Sequence, residues 1–256
     1  MIKIHHINCL KIVTAVNDNV IGHCVLIESD HELFLIDTGV GLLDTRHPNE
    51  RIGEQLIEMA GFRFNEDWTA VRQISALGLE NKPVTHCIIS HLDPDHIGGL
   101  ADFPDATVHI GKEEYDNFNS GNPRYLTHML DHHPVIQSYA ETTDKWFGLE
   151  ARKVNINPGI DIYLIPLFGH TLGHCGVAFR QDDKWFFYIG DAYYMKIELT
   201  DNRHPVNDLA KDRADNNDWR LNTLHKIREF INHHPDVEVF GYHDIEEFNS
   251  LLKEIK

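Results

Sequence analysis

Positive charge is scarce in this 256-residue chain: 23 lysines and arginines stand against 40 aspartates and glutamates, for a formal net charge of −17. Nucleic-acid binding draws on a basic face that displaces counterions, so the balance excludes a nucleic-acid partner and ranks nuclease activity low. Long apolar runs are missing as well. No stretch approaches the roughly 20 residues of a membrane-spanning helix, and no charged leader followed by an apolar segment opens the chain. The expectation is a soluble, cytoplasmic protein without a membrane partner. Cysteine is sparse too. Cys9, Cys24, Cys87 and Cys175 are scattered with no Cys-x-x-Cys pair, and three lie in apolar segments where free thiols pack as small hydrophobes in a reducing compartment. A chain of this length buries roughly 70 to 75% of its unfolded surface and needs neither disulfide nor structural metal to fold.

What the chain does have is a dense polar cluster directly after the apolar run Cys87-Ile88-Ile89. Residues 90 to 99 read Ser-His-Leu-Asp-Pro-Asp-His-Ile-Gly-Gly, placing His91, Asp93, Asp95 and His96 within six positions. Imidazole and carboxylate are the usual ligands of zinc, iron and manganese. A purely structural role would require each group to find its own partner in a semi-buried turn, where unpaired charge is costly. On an extended segment, residues two apart point the same way, so His91 and Asp93 can grip one ion, while Asp95 and His96, past Pro94, turn toward a second.

The cluster resembles the His-x-His-x-Asp-His signature of the metallo-β-lactamase superfamily, with Asp93 in the place of the second histidine. Leu35-Ile36-Asp37-Thr38-Gly39, Gly169-His170-Thr171-Leu172-Gly173-His174, Ile189-Gly190-Asp191-Ala192 and Gly241-Tyr242-His243 follow the family order along nearly the whole chain. The resemblance implies an α/β fold, an αββα sandwich of two mixed β-sheets flanked by helices, within one unit spanning 1–256. It also implies the remaining ligands: His170 completes the first site with His91 and Asp93, His243 joins Asp95 and His96 at the second, and Asp191 bridges two divalent ions. His174 is expected to stabilise its loop, and Asp37 to orient ligands from behind. Zinc is the leading metal, with iron or manganese as alternatives, because a carboxylate at position 93 adds negative charge and a harder oxygen ligand. A glutamate at that position occurs in the flavodiiron branch. The added carboxylate should also raise the pKa of bound water.

Hydrophobic periodicity organises the rest. Ile2 to Ile4, Leu10 to Val13, Cys24 to Ile27, Leu33 to Ile36, Thr85 to Ser90, Val108 to Ile110, Ile160 to Pro166, Gly176 to Arg180, Trp185 to Ile189 and Val237 to Phe240 read as strands. Glu50 to Ala60, Thr69 to Leu77, and Leu221 to Phe230 with Leu221, Leu224, Ile227 and Phe230 on one face, read as amphipathic helices. Thr200 to Asn217 reads as a polar segment. Residues 43–82 and 112–150 are expected to form lid or interface elements, the latter rich in aromatics and histidine. His109 and eight further histidines outside the motifs are expected mostly at the surface or at helix ends.

The function implied is a dinuclear hydrolase that uses a hydroxide held between two ions on a small ester, a lactone first. Asp95 could pass a proton to the leaving group, and Tyr194 matches a tyrosine that assists at the substrate carbonyl in acyl-homoserine lactonases. Only 13 residues follow His243, leaving no helical extension of the glyoxalase II kind. Thioester or phosphoester hydrolysis, a flavodiiron-like redox role and a non-catalytic metal-binding or signalling role are the alternatives. The partner expected is a small-molecule substrate.

Overall fold

The computed structural model describes residues 2–156 and 160–254. Seven strands form the first sheet: β1 (Lys3–Ile12), β2 (Val20–Glu28), β3 (Leu33–Ile36), β4 (Phe62–Arg63), β5 (Val84–Ile88), β6 (Thr107–Gly111) and β7 (Ile136–Tyr139). They lie in the order β4-β1-β2-β3-β5-β6-β7. The β4–β1, β1–β2 and β2–β3 pairs are antiparallel and β3–β5, β5–β6 and β6–β7 parallel, so the sheet is mixed. A short hairpin, β8 (Lys145–Trp146) and β9 (Leu149–Glu150), leads to the second sheet. That sheet contains β10 (Arg152–Lys153), β11 (Ile162–Pro166), β12 (Cys175–Gln181), β13 (Lys184–Tyr188) and β14 (Glu238–Phe240), with β14 parallel to β13 and the other pairs antiparallel.

Strand alternation explains how the layers stack. In β12 and β13, Val177, Phe179, Phe186 and Tyr188 belong to a core shared with Phe34, Ile36 and Ile88, which lie on one face of the first sheet. Ala178 and Phe187 point the other way, into a second core with Leu224, Ile227 and Phe230 of the helix Asn217–His233. Side chains alternating with period two thus place one sheet between another sheet and a helical layer. On the far side, Ile74 of the helix Ala70–Ala76 joins the first core. This is the expected αββα arrangement.

Several local expectations change. The single helix expected over 50–60 is two, Pro48–Arg51 and Glu54–Ala60. Gly53, at φ +91°, breaks it, a backbone region that glycine enters without the Cβ clash. Leu221 is 46% exposed, so only Leu224, Ile227 and Phe230 of the expected stripe are buried. The polar segment 200–217 contains a helix, Val206–Arg213, whose buried residues are Val206 and Ala210, too few to mark it by periodicity. His109 is buried rather than at the surface, bonded to His86 Nδ1 and the Tyr139 hydroxyl, both at 2.8 Å. All four cysteines are free and buried, as expected. No helix among the described residues is long and apolar enough to cross a membrane. Residues 1, 157–159 and 255–256 of the expected 1–256 unit lie outside the described residues.

Candidate metal centre

Apolar strands carry the polar residues to a common rim. Asp37 follows β3, the 90–96 cluster follows β5, His170 lies in the β11–β12 connection, Asp191 follows β13 and His243 follows β14. The ends of β3, β5, β13 and β14 that lead into this rim are buried and cannot hold unpaired charge, so the polar groups collect just beyond them.

The side chains converge in two sets. His91, His170 and Asp191 form one and Asp95, His96 and His243 the other, with the ligand atoms of each set within 4.8 Å of one another. In the first, Asp191 Oδ2 lies 3.4 Å from His170 Nε2 and 4.0 Å from His91 Nε2. In the second, Asp95 Oδ2 lies 3.8 Å from both His96 Nε2 and His243 Nε2. Asp191 also reaches the second set: Oδ1 is 3.4 Å from His96 Nε2 and Oδ2 is 3.3 Å from His243 Nε2. Atoms about 2 Å from a tetrahedral ion stand roughly 3.3 Å apart, so these spacings suit ligation better than direct hydrogen bonding. Three of the atoms, His91 Nε2, His96 Nε2 and Asp191 Oδ1, are buried without a hydrogen-bond partner. Buried, unpartnered donor atoms on both sets are what cations satisfy, and the donor set fits a pair of divalent ions.

The opposite faces of the imidazoles agree. His96 Nδ1 donates to Asp37 Oδ2 at 2.8 Å and His243 Nδ1 to the Ile21 carbonyl at 2.8 Å, so each turns Nε2 toward the site, where the neutral ring would offer a lone pair to an ion. His91 Nδ1 meets the Ser90 hydroxyl at 3.0 Å. His174 differs. Its Nδ1 donates to the Leu167 carbonyl at 3.1 Å and its Nε2 accepts the Asp191 N–H at 3.0 Å, which uses both nitrogens and leaves none for a metal. It shapes the loop that carries Asp191. Gly190, at φ +53°, is required there, since a Cβ would stand 2.7 Å from His174 Nε2.

Charge is unevenly tolerated across the site. Burial, with His96 adding to it, holds His91 well below the ordinary imidazole range. Burial works to raise Asp93 and Asp191, but Arg124, His91 and His170 together outweigh it at Asp93, and His243 and His96 together outweigh it at Asp191, so both carboxyls lie well below the usual range. At Asp95 burial wins and the carboxyl is pushed up.

Asp93 Oδ2 faces the first set, 3.3 Å from His91 Nε2 and 3.2 Å from His170 Nε2. The same carboxylate is clasped by Arg124, with Nε 2.6 Å from Oδ1 and Nη2 2.5 Å from Oδ2. The sequence reading missed this guanidinium, although an anionic residue in place of an imidazole is itself a reason to look for a compensating cation. It also missed Glu114. That buried carboxylate accepts from the Leu92 N–H at 2.9 Å, the Tyr125 hydroxyl at 2.8 Å, the Thr171 hydroxyl at 2.6 Å and the Gly173 N–H at 3.2 Å, tying together the loops that carry His91 and His170.

Tyr194 overhangs both sets, its ring centroid 5.6 Å from that of His170 and 5.3 Å from that of His243. Glu198 holds its backbone N–H at 2.7 Å and is itself held by Arg220 at 3.0 Å. A cleft of about 960 Å³ opens onto Asp93, Asp95, Asp191, His243 and Tyr194, with Ile12, Val16, Val20, Ile52, Leu56 and Met59 among its apolar walls.

The profile of the metallo-beta-lactamase superfamily matches residues 17–228. A probable metallo-hydrolase of Mycobacterium tuberculosis is 31% identical over 254 residues, covering 95% of this chain and 80% of its own. An N-acyl homoserine lactonase of Bacillus thuringiensis is 22% identical over 89% of this chain and 82% of its own. Among solved structures, an N-acyl homoserine lactone hydrolase with N-hexanoyl-L-homoserine bound at its catalytic metal centre superposes with a TM-score of 0.73. It is 20% identical and covers 97% of this chain and 95% of its own, a likeness of fold.

Proposed function

The chain belongs to the metallo-beta-lactamase superfamily and is a metal-dependent hydrolase, and from that premise we propose that it cleaves small carbonyl esters, lactones first, at a dinuclear centre. The observation that carries the reading is Asp191, whose two oxygens face both ligand sets at 3.3 to 3.4 Å. The first ion would be held by His91, Asp93, His170 and Asp191, and the second by Asp95, His96, His243 and Asp191. Two such ions supply water activation and polarisation of a carbonyl; zinc suits the imidazole-rich donors, and iron or manganese are the alternatives.

The chain's own residues supply the rest. The Tyr194 hydroxyl can donate to the carbonyl oxygen as charge develops on it. Asp95, which lines the cleft, can carry a proton to the departing alkoxide. The apolar walls favour a substrate with a hydrocarbon part, because burying each methylene contributes about 0.8 kcal/mol. The segments 43–82 and 112–150 both line the cleft, through Ile52, Leu56 and Met59 and through Pro123, Arg124 and Leu126. We infer that these segments form the substrate's enclosure within one catalytic unit.

The reading is supported by the lactonases among its relatives and structural neighbours. Its test is elemental analysis of protein purified without chelator, then turnover by the metal-loaded protein of lactones of increasing acyl length beside thioesters and phosphodiesters. Two metal ions per chain and preferential lactone opening are expected. Full metal loading with turnover of only phosphodiesters or thioesters would move the assignment to those classes.

A further inference from the structure

Arg124 is built into its place. Besides the fork on Asp93, Nη1 donates to the Arg213 carbonyl at 2.6 Å and to Asp215 Oδ1 at 3.3 Å, and the side chain is only 17% exposed. Asp215 in turn accepts from Asn117 Nδ2 and from the Leu172 N–H, both at 3.3 Å. The remaining contact, Nη2 to His170 Nε2 at 2.8 Å, uses the lone pair that an ion would claim.

Two parallel N–H···O bonds between a guanidinium and a carboxylate are among the strongest and most directional in proteins. Here one oxygen of that carboxylate, Oδ2, also faces the Nε2 atoms of His91 and His170. A fixed cation and the candidate metal position therefore share Asp93. The four residues that would hold the first ion, His91, Asp93, His170 and Asp191, carry two negative charges, and Arg124 reduces them to one. Three imidazoles and one aspartate would carry the same single charge.

We propose that Asp93 and Arg124 act as one charge-neutral ligand unit: the carboxylate supplies the donor atom, and the guanidinium cancels its charge and fixes its orientation. Arg124 is then a positioning residue that sets the affinity and selectivity of the first metal site. This reverses the expectation drawn from Asp93 alone, that the site is more anionic than its histidine-bearing relatives. The inference rests on the metal-binding reading of the site and is independent of the substrate.

A substitution cycle tests it, using the full chain and metal titrations of zinc, manganese and cobalt, with the cobalt visible spectrum as a report on coordination. Asp93→His alone leaves a buried guanidinium beside a dication, and first-site affinity should fall at least tenfold. Arg124→Met alone uncovers a carboxylate, and manganese should gain on zinc by several-fold with the first site still filled. The double variant Asp93→His with Arg124→Met should recover affinity to within about threefold of wild type, with a cobalt spectrum of a filled site. Thermal melting of the metal-free variants checks that each folds. A double variant binding no better than Asp93→His, or an empty first site in folded Arg124→Met, would overturn the proposal. Wild-type protein that takes up no metal would remove the metal-binding reading itself and this inference with it.

Discussion

His96 donates its Nδ1 hydrogen to Asp37 Oδ2 at 2.8 Å, and Asp37 holds that position with its own backbone in the left-handed region at φ +51°. A non-glycine residue there costs on the order of 1 kcal/mol or more and persists where surrounding contacts over-determine it. They do here. The carboxylate also accepts from the Ser90 N–H at 2.8 Å, the Ser90 hydroxyl at 2.7 Å and the Tyr188 hydroxyl at 2.5 Å. Asp37→Asn turns one acceptor into a donor that faces donors. Metal affinity should fall about 10 to 100-fold, the usual effect of losing a ligand's supporting carboxylate, as read by competition with a chromophoric chelator. Unchanged affinity would reduce Asp37 to a purely structural group.

Asp191 makes a sharper case, because its oxygens face both sets. Asp191→Ala and His96→Ala should each abolish hydrolysis and lower bound metal below two ions per chain, while the apo fold survives. The apolar core, with residues such as Phe34, Phe179 and Tyr188 fully buried, stands without the site. Circular dichroism and elemental analysis on the same samples separate the two effects. Wild-type turnover with full metal content in either variant would refute the ligand assignment.

The legible parts of this molecule were those in which local sequence and chemistry coincide. Leu33 to Ile36 and Cys87 to Ile89 are short apolar runs followed directly by polar residues, so both the buried strands and the rim where they stop could be read directly. The convergence of His170, Asp191 and His243 on the 90–96 cluster came from family resemblance, since nothing local in Tyr242-His243-Asp244 marks a ligand. What escaped were partners fixed only by tertiary contact. Arg124 lies 31 positions from Asp93, in a segment whose aromatic content drew attention instead. Glu114 sits on the helix Lys112–Phe118, where it passes for an ordinary first-turn acid. Helix ends failed for a different reason. Gly53 imposes a backbone break that the apolar pattern of Ile52, Leu56 and Ile57 runs straight through.

Glu114 gives a pH dependence of definite sign. Burial pushes its carboxyl from 4.5 up to about 7. Between those values the unfolded chain has released this proton while the folded chain retains it. The folded state therefore binds more protons, and stability falls as pH rises through the window, with a slope of at most about 1.4 kcal/mol per pH unit. Glu114→Gln has no proton to release there. Urea denaturation of the metal-free proteins should show the wild-type advantage over the variant larger at pH 5 than at pH 7.5. Parallel stability curves across that range would mean that Glu114 is ionised throughout, its four donors outweighing its burial.

Tyr194 separates catalysis from packing at the cleft floor. Its ring lies over His170 and His243, its backbone is pinned through Glu198, and burial, reinforced by the Asp191 carboxylate, raises its phenol well above the ordinary range. The hydroxyl is therefore protonated at neutral pH and available as a donor. Removing one donor from a developing oxyanion costs on the order of 10² to 10³ in kcat. Tyr194→Phe keeps the ring and deletes only the hydroxyl, so kcat should fall by about 10²-fold with KM little changed and two metal ions still bound. A loss confined to the transition state has this signature. If the variant instead kept its kcat while KM rose, the hydroxyl would contribute equally to ground-state and transition-state binding. The role left for Tyr194 would then be to line the cleft above the ligands.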